Sequence, residues 1–110
     1  MPNSFKRKLS RNVGTSPVSI GSYTVNSAIQ TTVIGLTVSN IHTANITATI
    51  SHYNGSTDTR LVKDAPIENG GTLVVVGGDA KLVLEPGDSV RVTANTNSSV
   101  DAVMSILEVS

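Results

Sequence analysis

Two histidines, three acids near adjacent turns and a set of glycines are the side chains of this 110-residue sequence whose types could do chemistry. His42 and His52 would sit at opposite ends of about 25 Å of strand if they flank one hairpin, so they cannot share a metal. Each reads as a surface or hydrogen-bonding histidine. Asp79, Glu85 and Asp88 surround two neighbouring turns, but they lack the D-x-D-x-D-G spacing of a calcium loop. A glycosidase pair would also need a deep, aromatic-lined cleft, and the chain has three aromatic residues in all. Asp88 is expected to act as a turn residue that bonds nearby amides. The serines have no G-x-S-x-G elbow and no positioned base. Gly70, Gly71, Gly77 and Gly78 are not followed by the Lys-Ser/Thr pair of a phosphate loop and read as turn glycines. Without cysteine there is no thiolate nucleophile and no Cys-ligated metal. The N-x-S/T triplets at Asn45, Asn54 and Asn97 carry little weight in a chain so rich in Asn, Ser and Thr. No catalytic residue, metal ligand or cofactor is expected.

The elements that would position these residues are strands throughout. The length fits one domain. Val18, Ile20, Tyr23 and Val25 alternate with polar residues, as do Ile34, Leu36, Val38, then Ile46, Ala48, Ile50, and later Val90, Val92, Ala94. Ala102, Met104 and Ile106 continue the pattern, but Val103, Leu107 and Val109 make the opposite phase apolar too. That marks a central strand or one covered by a neighbour. Turn residues recur about every eight to twelve positions, at Asn54-Gly55, Asn69-Gly70-Gly71, Gly77-Gly78-Asp79 and Pro86-Gly87-Asp88. Strands are expected near 17–25, 30–40, 44–53, 58–63, 71–76, 80–84, 88–95 and 100–109. Gly77-Gly78-Asp79 is expected to close a hairpin between 73–76 and 80–84, and Pro86-Gly87-Asp88 to close another into Val90. Pro66 marks a connection or an edge. β-Branched and hydroxyl residues disfavour helix. The fold class predicted is all-β, a single antiparallel two-sheet β-sandwich of about eight strands, Ig-like or jelly-roll, with an extended N-terminal arm.

Zero formal charge hides an asymmetry. Lys6, Arg7, Lys8 and Arg11 are four of the eight cations, and no acid precedes Asp58, so a basic segment joins an acidic remainder. Residues 1–14 are expected as an extended basic arm and 15–110 as the β-sandwich domain. The arm has too little apolar surface to order itself, so it should dock on a partner through Phe5, Lys6, Arg7, Lys8, Leu9 and Arg11. Deleting residues 1–11 should then leave the thermal midpoint of the domain nearly unchanged. No basic and aromatic residues interleave in the acidic body, which argues against nucleic acid. No apolar run is long enough to span a membrane as a helix or to serve as a Sec signal.

The segments FKRKLSRNVGTSPVSIGSYTV, LVKDAPIENGGTLVVVGG and KLVLEPGDSVRVTANT, within residues 5–109, resemble small virion proteins of tailed bacteriophages, particularly cyanobacterial and marine ones. The SRNVGT stretch and the pairing of L-V-x-x-x-P-I-x-x-G-G with L-x-P-G-D-S-V-R-V carry the likeness. What it implies is a non-enzymatic particle component, a capsid decoration protein or a neck or tail component, located in the virion. Its implied partners are the major capsid protein or neck and tail proteins, together with copies of itself. The P-G-D turn also occurs in jelly-roll cupins, but their H-x-H metal pair is missing here. The alternative is a carbohydrate-binding sandwich of a fibre or adhesin, with Tyr53, Asn54 and Asp58 at the glycan and Tyr53 as the stacking ring.

Overall fold

The computed structural model describes residues 3–79 and 81–109, leaving Met1, Pro2, Ala80 and Ser110 outside the described residues. Nine strands follow in order: β1 (Asn3–Val13), β2 (Val18–Ser19), β3 (Gln30–Asn40), β4 (Ile46–Tyr53), β5 (Asp58–Ile67), β6 (Thr72–Val76), β7 (Leu82–Leu84), β8 (Ser89–Ala94) and β9 (Val100–Val109). A single 3-10 turn, Ile20–Ser22, is the one helical piece among the described residues.

The pairing has a simple logic. The turn Asn54–Thr57 folds β4 back on β5, and the strands outward from it pair in antiparallel fashion: β3 with β6 and β7, β2 with β8, β1 with β9. A long two-stranded ribbon of this kind rolls up into two sheets, one ordered β1-β9-β3-β6 with β7 also on β3, the other β2-β8-β4-β5. That is jelly-roll connectivity, which settles the choice the sequence left open between Ig-like and jelly-roll. We call the first sheet A and the second sheet B. Their inner faces meet in an aliphatic core that includes Val33, Leu36, Val38, Ile46, Ile50, Val90, Val92, Met104 and Ile106, all buried.

β9 lies between β1 and β3, as its two apolar phases predicted. Pro66 sits on β5, the edge of sheet B, where its missing N–H costs no ladder bond. Other expectations are corrected. The expected strand at 17–25 shrinks to Val18–Ser19, because Gly21 (φ 64°) and Ser22 (φ 53°) turn the chain in the left-handed region. A Cβ at Gly21 would stand 2.7 Å from Lys8 Cβ, so glycine is required there by contact as well as by angle. The strand expected at 58–63 runs on to Ile67. Gly77-Gly78-Asp79 does not close a hairpin: β6 and β7 both pair with β3, one beyond the other, and the glycines form an excursion from one interrupted edge strand. Pro86-Gly87-Asp88 likewise carries the chain from sheet A to sheet B rather than between paired strands. The strand expected to begin at Ala80 is described from Leu82.

The largest correction concerns the arm. Residues 3–13 do not wait for a partner; they form β1, antiparallel to β9 from Asn3↔Val109 to Ser10↔Ala102. Its side chains bury little, but an extended edge strand is held by main-chain hydrogen bonds as well as by side chains. Deletion of residues 1–11 is therefore expected to lower the midpoint of thermal unfolding by more than about 5 °C, equivalent to roughly 1 kcal/mol in a domain of this size. A calorimetric midpoint within a degree of the full chain would show that β1 contributes nothing to the fold.

Candidate interaction surface

The strand alternation sends the β1 side chains two ways. Lys6 and Lys8 lie across from the buried Ile106 and Met104 and so belong to the inward phase, whereas Phe5, Arg7 and Leu9 share the outward phase with Leu107, Ser105 and Val103. Both inward lysines have partners. Lys6 Nζ contacts Glu108 Oε1 at 2.9 Å, and Lys8 Nζ lies 4.9 Å from the centroid of the Tyr23 ring. Tyr23 donates to Glu108 Oε2 at 2.7 Å, and since its one hydroxyl proton is thereby committed, Thr31 Oγ1 donates to it, also at 2.7 Å. Hydrogen bonds from Lys6 and Tyr23 hold the Glu108 carboxyl below its ordinary range, although burial opposes them. Burial pushes the Tyr23 phenol up to about 12; the Thr31 bond works against this and Glu108 adds to it. Ser10 Oγ also accepts from the Gly21 amide at 2.9 Å, so β1 is fastened to the turn beneath it.

The outward face of sheet A carries two largely apolar rows set among polar residues. One row runs Phe5, Leu107, Thr32, Val83 across β1, β9, β3 and β7; a second runs Leu9, Val103, Thr37, Val74 across β1, β9, β3 and β6. Phe5 is 75% exposed, Val74 62% and Val83 59%. Between the rows lie Arg7, Ser105 and Gly35, and an open groove of about 380 Å³ lined by Phe5, Arg7, Ile34 and Ser105 runs beside the phenyl ring. The outward face of sheet B is polar instead, with Thr47, Thr49 and Ser51 on β4 beside Arg91 and Thr93 on β8. Arg11 is exposed at the far end of β1.

The other candidate residues are accounted for locally. Asp88 Oδ2 accepts from His52 Nε2 at 2.7 Å and from the Glu85 amide at 3.0 Å. Burial works against its charge, but these two bonds outweigh burial and hold its carboxyl low. His42 donates its amide to Asn40 Oδ1 and lies in a turn, with no part in that cluster. Among the described residues no three His, Cys, Asp or Glu side chains are grouped as metal ligands would be. Asn54 Oδ1 is occupied by the amides of Ser56 and Thr57, and Asp58 Oδ2 lies 3.7 Å from Arg91 and 4.0 Å from Arg60. Arg91 stacks over the Tyr53 ring at 4.2 Å, covering a face that a sugar would need. An open groove of about 620 Å³ is lined mainly by polar residues between Ser10 and Ser22, with Asn97 and Ser98.

The Tyr23–Glu108 network was not anticipated from the sequence. Its signal was present: Glu108 follows Ala102, Met104 and Ile106 in the inward phase, and a carboxylate in a core phase needs buried partners.

The sequence matches no protein-family model and no curated protein. Among solved structures it is similar to a chain of the disulfide-linked pili of Bacillus endospore appendages, at 17% identity, with 96% of this chain and 86% of that chain covered and a TM-score of 0.53. A chain of the Helicobacter pylori bacteriophage KHP30 capsid aligns at 9% identity, covering 98% and 93%, with a TM-score of 0.51. A chain of the T13 IBDV viral particle aligns at 8% identity with a TM-score of 0.55; this chain is covered to 96% but spans only 30% of the viral one. These likenesses show a capsid-type β fold.

The buried network makes stability depend on pH at both ends. A depressed Glu108 stabilises the fold above the carboxylate range of the unfolded chain, near 4.3, and that contribution is lost as pH falls through the lower folded value. A raised Tyr23 stabilises it below about 10 and the contribution is lost between about 10 and 12. Tyr23→Phe is expected to cost about 1–2 kcal/mol at neutral pH and to flatten the alkaline limb. Glu108→Gln should flatten part of the acid limb, Asp88 supplying the rest. Denaturant unfolding at a series of pH values checks both; unchanged limbs in the two variants would remove the network from the stability account.

Proposed function

We propose that this chain is a non-enzymatic structural subunit of a tailed-bacteriophage particle, a capsid decoration or neck or tail component, fastened to neighbouring virion proteins through the outward face of sheet A and the β1 residues beside it. The observation that carries this reading is the pair of apolar rows on that face. Single exposed apolar side chains are ordinary, but six aligned on one sheet form a patch of the kind that marks contact sites. The capsid-type fold supports a place in a particle shell, and the sequence resemblance to small phage virion proteins points the same way. A pilus subunit of the disulfide-linked sort would need cysteine, and the chain has none. The major capsid protein or a neck or tail protein is the neighbour this face suits, with further copies of the chain around a symmetry axis. A glycan-binding role through Tyr53, Asn54 and Asp58 is disfavoured by the Arg91 cap on the ring and by the turn bonds that occupy Asn54.

The experiment is incorporation into particles. Val74→Lys with Val83→Lys is expected to leave the domain folded, because both side chains already face water, and to reduce incorporation at least tenfold. Thr93→Lys, on the polar outward face of sheet B, should incorporate normally. If the double variant enters particles as well as the wild type, the face is not the attachment surface.

A further inference from the structure

Each sheet has two edges, and three of the four are blunted. β2 has only two residues; β5 carries two register shifts, Pro66 and a left-handed Asp64 (φ 49°); the β6–β7 edge is interrupted between Val76 and Leu82. β1 is different. It runs without a register break from Asn3 to Ser10, and β9 is its one strand neighbour among the described residues. An edge of this length is a template for a further strand.

We infer that the free edge of β1 receives an extended acidic segment of a different protein, which adds to sheet A as a further strand. The proposal rests on the attachment role given above and names the chemistry of the partner. The charges choose the occupant. A two-fold antiparallel pairing of β1 with its own copy centred on Arg7 would set Arg7 against Arg7 and each Lys6 against a Lys8, and like charges directly opposite oppose pairing. No free strand among the described residues is acidic enough to serve: β5 holds Asp58 and Asp64 but also Arg60 and Lys63, β6 holds no charge, and β9, with Asp101 and Glu108, is already paired on both sides. A segment with carboxylates at alternate positions would place them beside Lys8 and the half-exposed Lys6, adding to the Tyr23 and Glu108 contacts these side chains already make, while its apolar residues facing Phe5 and Leu9 would extend those rows by one strand.

The same four cations could serve only to guard the edge against aggregation, and the test separates the two roles. The probe is a capped peptide of about seven residues, Thr-Val-Glu-Val-Glu-Val-Thr, with Thr-Val-Lys-Val-Lys-Val-Thr as control. Added to the full chain, the acidic peptide is expected to slow amide exchange at least tenfold at every second residue between Asn3 and Leu9, and to lose this effect as salt rises. The double variant Arg7→Glu, Lys8→Glu should exchange the preference and respond to the lysine peptide. No protection of β1 at millimolar acidic peptide, equal protection by both peptides, or protection confined to another edge would each overturn the inference. The attachment reading fails separately: particles that accept Val74→Lys, Val83→Lys would reject the face while leaving the edge result standing.

Discussion

The ladder between β1 and β9 is the constraint on which the other features depend. It closes sheet A, because β9 would otherwise be an edge with apolar side chains on both faces. It brings Lys6 to Glu108 and Lys8 to the Tyr23 ring, and it puts Phe5 and Leu9 in line with Leu107 and Val103. A segment of such composition cannot fold alone, as its lack of apolar surface says. It does not have to, since β9 offers a preformed row of donors and acceptors and every second β1 residue satisfies a pair of them.

The core that this ladder covers is almost wholly aliphatic, and a deep polar chain ties three strands and a connection together. Tyr23 lies in the connection before β3, Thr31 on β3, Glu108 on β9, and Lys6 reaches in from β1. Every member has a partner, which is the condition under which a buried polar group specifies a structure rather than weakening it. His52, Asp88 and the Glu85 amide repeat the device where the chain passes from sheet A to sheet B.

Much of this was legible in the sequence, for physical reasons that can be named. Period-two alternation gave β3, β4, β8 and β9, because each buries one face against the opposite sheet. The double phase of β9 announced its central place. Asp88 acts as the turn residue it resembled. Less legible was anything set by main-chain pairing at a distance. The side chains of β1 alone describe a detached arm, because its main-chain pairing leaves no mark on composition. Gly77-Gly78-Asp79 looked like a reversal, but β3 is long enough to take β6 and β7 along one side, so the glycines let the chain leave and rejoin the same edge. At the candidate surface, Phe5 and Leu9, expected to dock on a partner, lie exposed on the outward face of sheet A. Val74 and Val83 were not expected there, since only the register places them in the same rows.

The contrast between the two outward faces follows from that register. With strands about 4.8 Å apart, the register sets six apolar side chains of sheet A in two rows, separated by Arg7, Ser105 and Gly35. Sheet B has a comparable face but fills it with Thr, Ser and Arg. The exposed apolar side chains of the two rows thus lie on one outward face, and the other is polar. The jelly roll itself does not dictate this, because the same fold serves many roles and function resides in what the surface presents. The interior of sheet A needs Met104 and Ile106 for stability, but nothing in folding needs Val103 and Leu107 beside them. Their apolarity fits the contact proposed for this face.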